Sequence, residues 1–254
     1  MSARELSYAA AVLLIGQLTT RPEPITVSAA ISLTNALEEI GRAYEAAGGG
    51  AVRLNFGGSN VLARQIINGA PVHLFISADE AQMDLVERAG AVMAGTRLAL
   101  LGNQLVVIAP RGNHAQIKDL DALERPDIRR IAVGDPAAVP AGVYTRQYLH
   151  ARGKWLVLGP KLVPLPNVRA ALAAVANGSA DAGIVYESDA TASDAVEIGF
   201  VILAAEGPPI VYPAALVRHT ARRAEAERFL AFLRGPVATA VFERHKFVPL
   251  AARR

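Results

Sequence analysis

The chain has 254 residues, 52% of them apolar, with 26 Lys plus Arg against 23 Asp plus Glu for a net charge of +3, and no cysteine. The missing thiol excludes disulfides, thiolate metal sites, cysteine nucleophiles and a lipid-modified N-terminal cysteine. The apolar share suffices for a large core, while basic residues interleaved with acids, as in Arg222-Arg223-Ala224-Glu225-Ala226-Glu227-Arg228, lack the concentrated stripe that a nucleic-acid partner requires.

Residues 1–24 read as a signal peptide or N-terminal extension. Arg4 precedes the apolar run 8–15, which is too short to cross a bilayer as a mature helix. The cleavage site is uncertain, because no Ala-x-Ala precedes Arg21. From residue 25 onward, aliphatic runs alternate with helical patterns. Strands are expected at 25–29, 52–56, 74–77, 105–109, 131–134, 182–186, 200–204 and 212–217. Helices are expected at 33–44, 61–67, 81–89, 143–151, 169–176, 221–234 and 236–245. This alternation predicts an α/β protein with mostly parallel sheets. The extended run 98–110 and the Gly207-Pro208-Pro209 turn read as two crossings between lobes. They divide the chain into one discontinuous lobe, 25–104 plus 208–254, and a second lobe, 105–207, with a ligand cleft between them.

Four times a short segment of small, uncharged residues runs directly into a helix. The junctions lie at Ser32, at Gly57-Gly58-Ser59, at Val139-Pro140-Ala141-Gly142 and at Pro166-Asn167-Val168. Each helix start exposes unpaired N–H groups and the positive end of a macrodipole, which together favour an anion. For a serine at such a junction the plain alternative is an ordinary N-cap. Reactive chemistry is hard to find elsewhere. His73, His114, His150, His219 and His245 share no metal-ligand spacing, and neither a Gly-x-Ser-x-Gly elbow, a Walker loop nor a dinucleotide glycine motif occurs. Asp79, Asp135 and Asp189 read as helix or turn caps, and Arg64 and Arg169 as packing or salt-bridging residues a turn or more inside helices. The pattern suggests an anion receptor rather than an enzyme.

Several segments resemble, in order across about residues 25–250, the periplasmic molybdate-binding proteins of molybdate ABC transporters. They include Ala29-Ala30-Ile31-Ser32-Leu33-Thr34-Asn35, Gly57-Gly58-Ser59, Phe75-Ile76-Ser77-Ala78-Asp79, Leu101-Gly102-Asn103, Ala132-Val133-Gly134-Asp135-Pro136 and Gly183-Ile184-Val185-Tyr186-Glu187-Ser188-Asp189. The resemblance implies the two-lobed type II periplasmic binding fold, each lobe a mixed, mostly parallel sheet flanked by helices. It implies capture of molybdate or tungstate without a cofactor, a directly coordinated metal or a counter-cation. Ser32 and Ser59 would bind through hydroxyl and backbone N–H, Ala141 and Val168 through backbone N–H, and Tyr186 through its phenol. The implied partners are a membrane permease and its ATPase, and the implied form is a soluble, exported monomer of the Gram-negative periplasm. Two other readings stay open: a receptor for sulfate, thiosulfate or phosphate, and a cytoplasmic oxyanion sensor or enzyme on the same fold.

Overall fold

The computed structural model of the chain describes residues 23–112, 117–218 and 220–250. The apolar run read as an export signal, together with His114 and His219, lies outside the described residues. Two mixed sheets form the framework. The first contains β1 (Ile25–Ala30), β2 (Val52–Gly57), β3 (Leu74–Ile76), β4 (Leu98–Asn103), β10 (Ile210–Leu216) and β11 (Val248–Pro249), in the order β11-β4-β10-β3-β1-β2. The second contains β5 (Leu105–Pro110), β6 (Ile131–Gly134), β7 (Leu162–Leu165), β8 (Ala182–Tyr186) and β9 (Val196–Val201), in the order β7-β6-β8-β5-β9.

The parallel strands lie together on one side of each sheet, β2-β1-β3 in the first and β7-β6-β8 in the second. The inner ones, β1, β3, β6 and β8, are largely buried runs, as expected when helices cover both faces. β1 lies parallel to β2 and β3, with Ala30 opposite Gly57 at one end. β6 lies parallel to β7 and β8, with Gly134 opposite Leu165. The remaining five pairings are antiparallel, so parallel pairs make up four of nine rather than most. The reason is the crossings. Only Gln104 separates β4 from β5, and residues 202–209 connect β9 to β10, so these strands enter their sheets without the crossover helix that a parallel neighbour requires. The continuous run 98–110 is thereby split between the two sheets.

Helices α1 (Thr34–Ala46), α2 (Ser59–Ile67), α4 (Pro140–Ala151) and α6 (Val168–Ala176) follow β1, β2, β6 and β7 in turn. α1 begins after a 3₁₀ turn at Ile31–Leu33, where Thr34 Oγ1 donates to the Ile31 carbonyl over 2.6 Å. α4 starts three residues before its expected position because Pro140 occupies N1, where its fixed φ suits a helix and its missing N–H costs nothing. Short α5 (Trp155–Leu158) and β7 escape the sequence pattern, since Gly159-Pro160 interrupts both before any periodicity is established. The expected strand at 200–204 is β9, displaced toward the N-terminus.

A continuous core joins both sheets, running from Val27 and Leu74 through Val107 and Val133 to Tyr212 and Phe242. A smaller cluster packs α2 and α3 (Glu80–Arg88) on the first sheet through Leu62, Ile66, Phe75, Met83 and Val86. α8 (Arg223–Leu233) and α9 (Pro236–Arg244) close the chain, with Phe229 edge-on to Tyr44 at 5.0 Å. Arg97 ties α3 down by pairing with Glu80, Asp84 and Glu87, successive carboxylates on one helix face. Among the described residues no helix is long and apolar enough to cross a membrane.

One steric contact sets the position of α4. A side chain on Gly142 would overlap the Gly134 carbonyl group and the backbone of Asp135, so the first turn of α4 lies against the end of β6. Backbone cannot yield as a flexible side chain can. Gly142→Ala is therefore expected to destabilise the fold by about 1–3 kcal/mol, the usual cost of overpacking, measured by urea unfolding. Unchanged stability would mean that α4 can retreat freely.

Candidate functional site

A small cavity opens between the two sheets. From the first sheet come Ala30–Ser32, Gly57–Ser59 and Ala78; from the second come Val139–Ala141, Asn167, Val168 and Tyr186. Each group sits just past the C-terminal end of a parallel strand, or in the case of Tyr186 is its last residue. This is the edge at which α/β sheets gather ligands. All five residues singled out from the sequence line this one space, three of them from 109 to 154 positions away from Ser32 along the chain. The two rims come close where Gly58 faces the Pro166 carbonyl and the side chain of Asn167.

The serines are not simple caps. Ser59 is the first residue of α2, whose N-cap is Gly58, and its Oγ accepts a 2.9 Å hydrogen bond from the Ala78 N–H. Ser32 lies in the 3₁₀ turn before α1, and its Oγ is 3.0 Å from Tyr212 Oη. Ala141 is the second residue of α4 and Val168 the first of α6, positions whose backbone N–H groups have no intrahelical acceptor. Asn167 does the capping of α6, its Oδ1 accepting from the Ala170 N–H at 2.9 Å. No acidic residue occupies the first turn of α1, α2, α4 or α6, so nothing there offsets the positive ends of the dipoles.

Tyr186 is the most informative lining residue. Its side chain is 1% exposed, yet Oη has no hydrogen-bond partner among the described residues. A buried hydroxyl left unpaired costs roughly 1–3 kcal/mol, so a partner within the cavity is required to recover it. Burial also pushes the phenol well above its ordinary pKa, helped by the nearby Tyr212, Tyr144, Asp79 and Asp189, so the hydroxyl keeps its proton and can donate.

Charged groups stand behind this lining. Asp79 caps α3, its Oδ1 accepting from the Gln82 N–H at 3.0 Å and from Ser77 Oγ at 3.2 Å, and burial raises its pKa. Asp135 caps its turn through the Ala137 N–H at 2.9 Å. Asp189 departs from the capping role: fully buried, it pairs with Arg169 Nε at 2.5 Å. Arg169 also lies in the first turn of α6 rather than deep in the helix, so its guanidinium reaches across to the first sheet. There Nη2 donates to Asn35 Oδ1 at 3.0 Å and to the Ser32 carbonyl at 3.5 Å. Sequence spacing could not reveal this contact, which joins residues 134 apart. The histidines within the described residues have ordinary partners: His73 Nδ1 accepts from the Thr26 N–H, His150 stacks on Trp155, and His245 meets Glu39.

Two sheets, two crossings and a donor-lined cavity at converging strand ends define a solute-binding protein of the two-lobed type II periplasmic class. The chain belongs to the bacterial extracellular solute-binding protein family, whose model matches residues 25–248. It is 41% identical over 227 residues to the molybdate-binding protein ModA of Escherichia coli (strain K12), covering 88% of each chain. Among solved structures, the periplasmic molybdate-binding protein of Azotobacter vinelandii superposes with a TM-score of 0.80 at 27% identity, over 89% of this chain and 100% of that one. The sulfate-binding protein SubI of Mycobacterium tuberculosis H37Rv shares the fold, with a TM-score of 0.78 at 19% identity over 89% of this chain and 87% of that one.

The Asp189 pair yields a pH prediction. Burial, partly offset by Arg169, pushes this carboxyl from 3.8 up to about 6, so the folded chain holds the proton more tightly than the unfolded one. Its stabilising contribution is complete below 3.8 and is withdrawn as pH rises through about 6. The stability of the wild type relative to Asp189→Asn should therefore fall across that interval in urea titrations. A difference independent of pH would show that Asp189 titrates as an exposed acid. Arg169→Ala, which leaves the buried carboxylate unpaired at neutral pH, is expected to cost about 3 kcal/mol in the same assay.

Proposed function

We propose that this protein captures molybdate or tungstate in the cavity between its sheets and delivers it to a membrane permease with an ATPase partner. The observation that carries this reading is the buried, unpartnered Tyr186 hydroxyl in a cavity rimmed by helix N-termini and lined by no carboxylate. A fully deprotonated dianion can only accept hydrogen bonds, so it suits a site made of donors. Four helix starts, each equivalent to roughly half a positive charge, offset much of a charge of −2 without a counter-cation. Hydrogen phosphate carries a proton and favours a strong acceptor such as a carboxylate, and no carboxylate is among the lining residues. The names of the relatives in Escherichia coli and Azotobacter vinelandii support molybdate over sulfate among the remaining tetrahedral ions.

In this reading Ser32 and Ser59 bind from one lobe (25–104 plus 208–254), and Ala141, Val168 and Tyr186 bind from the other (105–207). Ligand contacts from both sides favour the closed arrangement, which the permease recognises, and population shift rather than catalysis is the mechanism. The protein acts as a monomer in the periplasm, exported by its N-terminal segment, with no enzymatic step, cofactor or nucleic-acid partner.

Calorimetric titration with molybdate, tungstate, sulfate and phosphate tests the assignment. Molybdate and tungstate should bind most tightly, and tighter binding of sulfate would overturn it. Ser32→Ala, Ser59→Ala and Tyr186→Phe should each weaken molybdate by roughly 1–3 kcal/mol, the worth of a hydrogen bond to a charged group. Unchanged affinity in all three would place the anion elsewhere.

A further inference from the structure

Behind Ser32 runs a chain of buried polar side chains, Tyr212, Asn103 and Ser188, that are not part of the cavity lining. Asn103, at the end of β4, accepts a 2.9 Å hydrogen bond from the Gln104 N–H through Oδ1. That contact settles which way the amide faces. Its Nδ2 points the other way and donates to Ser188 Oγ at 2.9 Å and to Tyr212 Oη at 3.3 Å. Tyr212, fully buried on β10, is in turn 3.0 Å from Ser32 Oγ.

Distance alone leaves the direction of the Tyr212–Ser32 bond open, but donor counting does not. Tyr212 has one proton, and its two hydrogen-bond neighbours are Asn103 Nδ2 and Ser32 Oγ. An amide NH₂ cannot accept. If Ser32 donated to Tyr212, the phenol proton would be buried without an acceptor, which is costly. The phenol therefore donates to Ser32 Oγ, and the serine's own proton is released toward the cavity. Ser59 reaches the same condition by another route, since the Ala78 N–H occupies its oxygen.

We infer that Tyr212 and Asn103 are positioning residues for anion selectivity: they set the direction of a hydrogen-bond chain, Asn103 to Tyr212 to Ser32, so that Ser32 meets the ligand as a donor. The inference rests on the oxyanion reading of the cavity and extends it to residues that do not touch the anion. Its consequence is discrimination by protonation state. A ligand oxygen bearing a hydrogen meets a Ser32 Oγ with one of its two lone pairs already taken and its proton turned toward the ligand, whereas an oxygen without a hydrogen finds that proton presented. Tyr212→Phe keeps the ring against Tyr186 and Phe247 but frees Ser32 to accept or donate.

The test combines calorimetry on Ser32→Ala, Tyr212→Phe and the double variant with competition by selenate and hydrogen arsenate in mildly alkaline buffer. Those two competitors share shape and charge and differ by one proton. Tyr212→Phe is expected to weaken molybdate by about three- to tenfold, a fraction of a charged hydrogen bond, and to shift the selenate-to-arsenate preference toward arsenate. In the Ser32→Ala background the same substitution should change molybdate affinity by less than about twofold, because the serine through which it acts is gone. An equal loss in both backgrounds, or an unchanged selenate-to-arsenate preference, would overturn the inference and leave Tyr212 a packing residue. Wild-type molybdate affinity in Ser32→Ala would also overturn this inference, whereas failure of the wild type to bind molybdate would overturn the oxyanion reading on which it rests. Asn103→Ala, which leaves the aromatic cluster in place, repeats the test should Tyr212→Phe fail to fold, and it too must move the selenate-to-arsenate preference.

Discussion

The parallel pairing on one side of each sheet is the constraint on which the rest of the molecule depends. Because β1 and β2 run side by side with Ala30 opposite Gly57, the chain leaves both strands at the same edge and enters α1 and α2 within reach of one point. β6 and β7 do the same in the second sheet, with Gly134 opposite Leu165, before α4 and α6. Dipoles that would repel one another if left exposed are thus gathered around a single cavity, and an anion is the natural means of relieving them. The close approach of Gly142 to Gly134 belongs to the same scheme, since it brings the first N–H groups of α4 up to the end of β6.

Polarity is arranged in layers around that point. The lining consists of small or neutral residues, and the ionised side chains lie behind it, already paired. Arg169 follows the lining residue Val168, yet its guanidinium is occupied by Asp189, Asn35 and the Ser32 carbonyl. It therefore serves to hold α6 against the loop after β1 instead of neutralising a ligand. The cost of burying Asp189 is partly offset by this pair, and the same guanidinium reaches across to Asn35 and Ser32 on the other side of the cavity. Tyr212 and Asn103 extend the layering to uncharged groups, and their hydrogen bonds reach Ser188 beyond the crossing from β4 to β5.

Much of this was legible in the chain as written. Aliphatic runs such as 131–134 and 182–186 match β6 and β8 to the residue, since four or five buried branched or small side chains without a breaker have little choice of structure. Four of the five candidate site residues were legible as junctions of small residues with helix starts, while Tyr186 came only from the family resemblance. Other features were not, for physical reasons. Asp189 looked like a cap because capping is what an isolated aspartate at a helix start usually does, and only the approach of α6 brings Arg169 to it. The antiparallel majority of pairings was hidden as well, because a strand's local sequence does not record which neighbour it receives after crossing between sheets.

What the sequence by itself determined is local: which segments are strands or helices, where helices begin, and that the groups at four of those starts carry no charge. These follow from side-chain periodicity and backbone chemistry within a few residues. The tertiary structure alone decided the convergence of residues 32, 59, 141, 168 and 186 on one cavity, the isolation of the Tyr186 hydroxyl, and the contact between Tyr212 and Ser32. Each of these is a relation between atoms far apart in the chain, set by sheet register and by packing between strands rather than by the residues at the site.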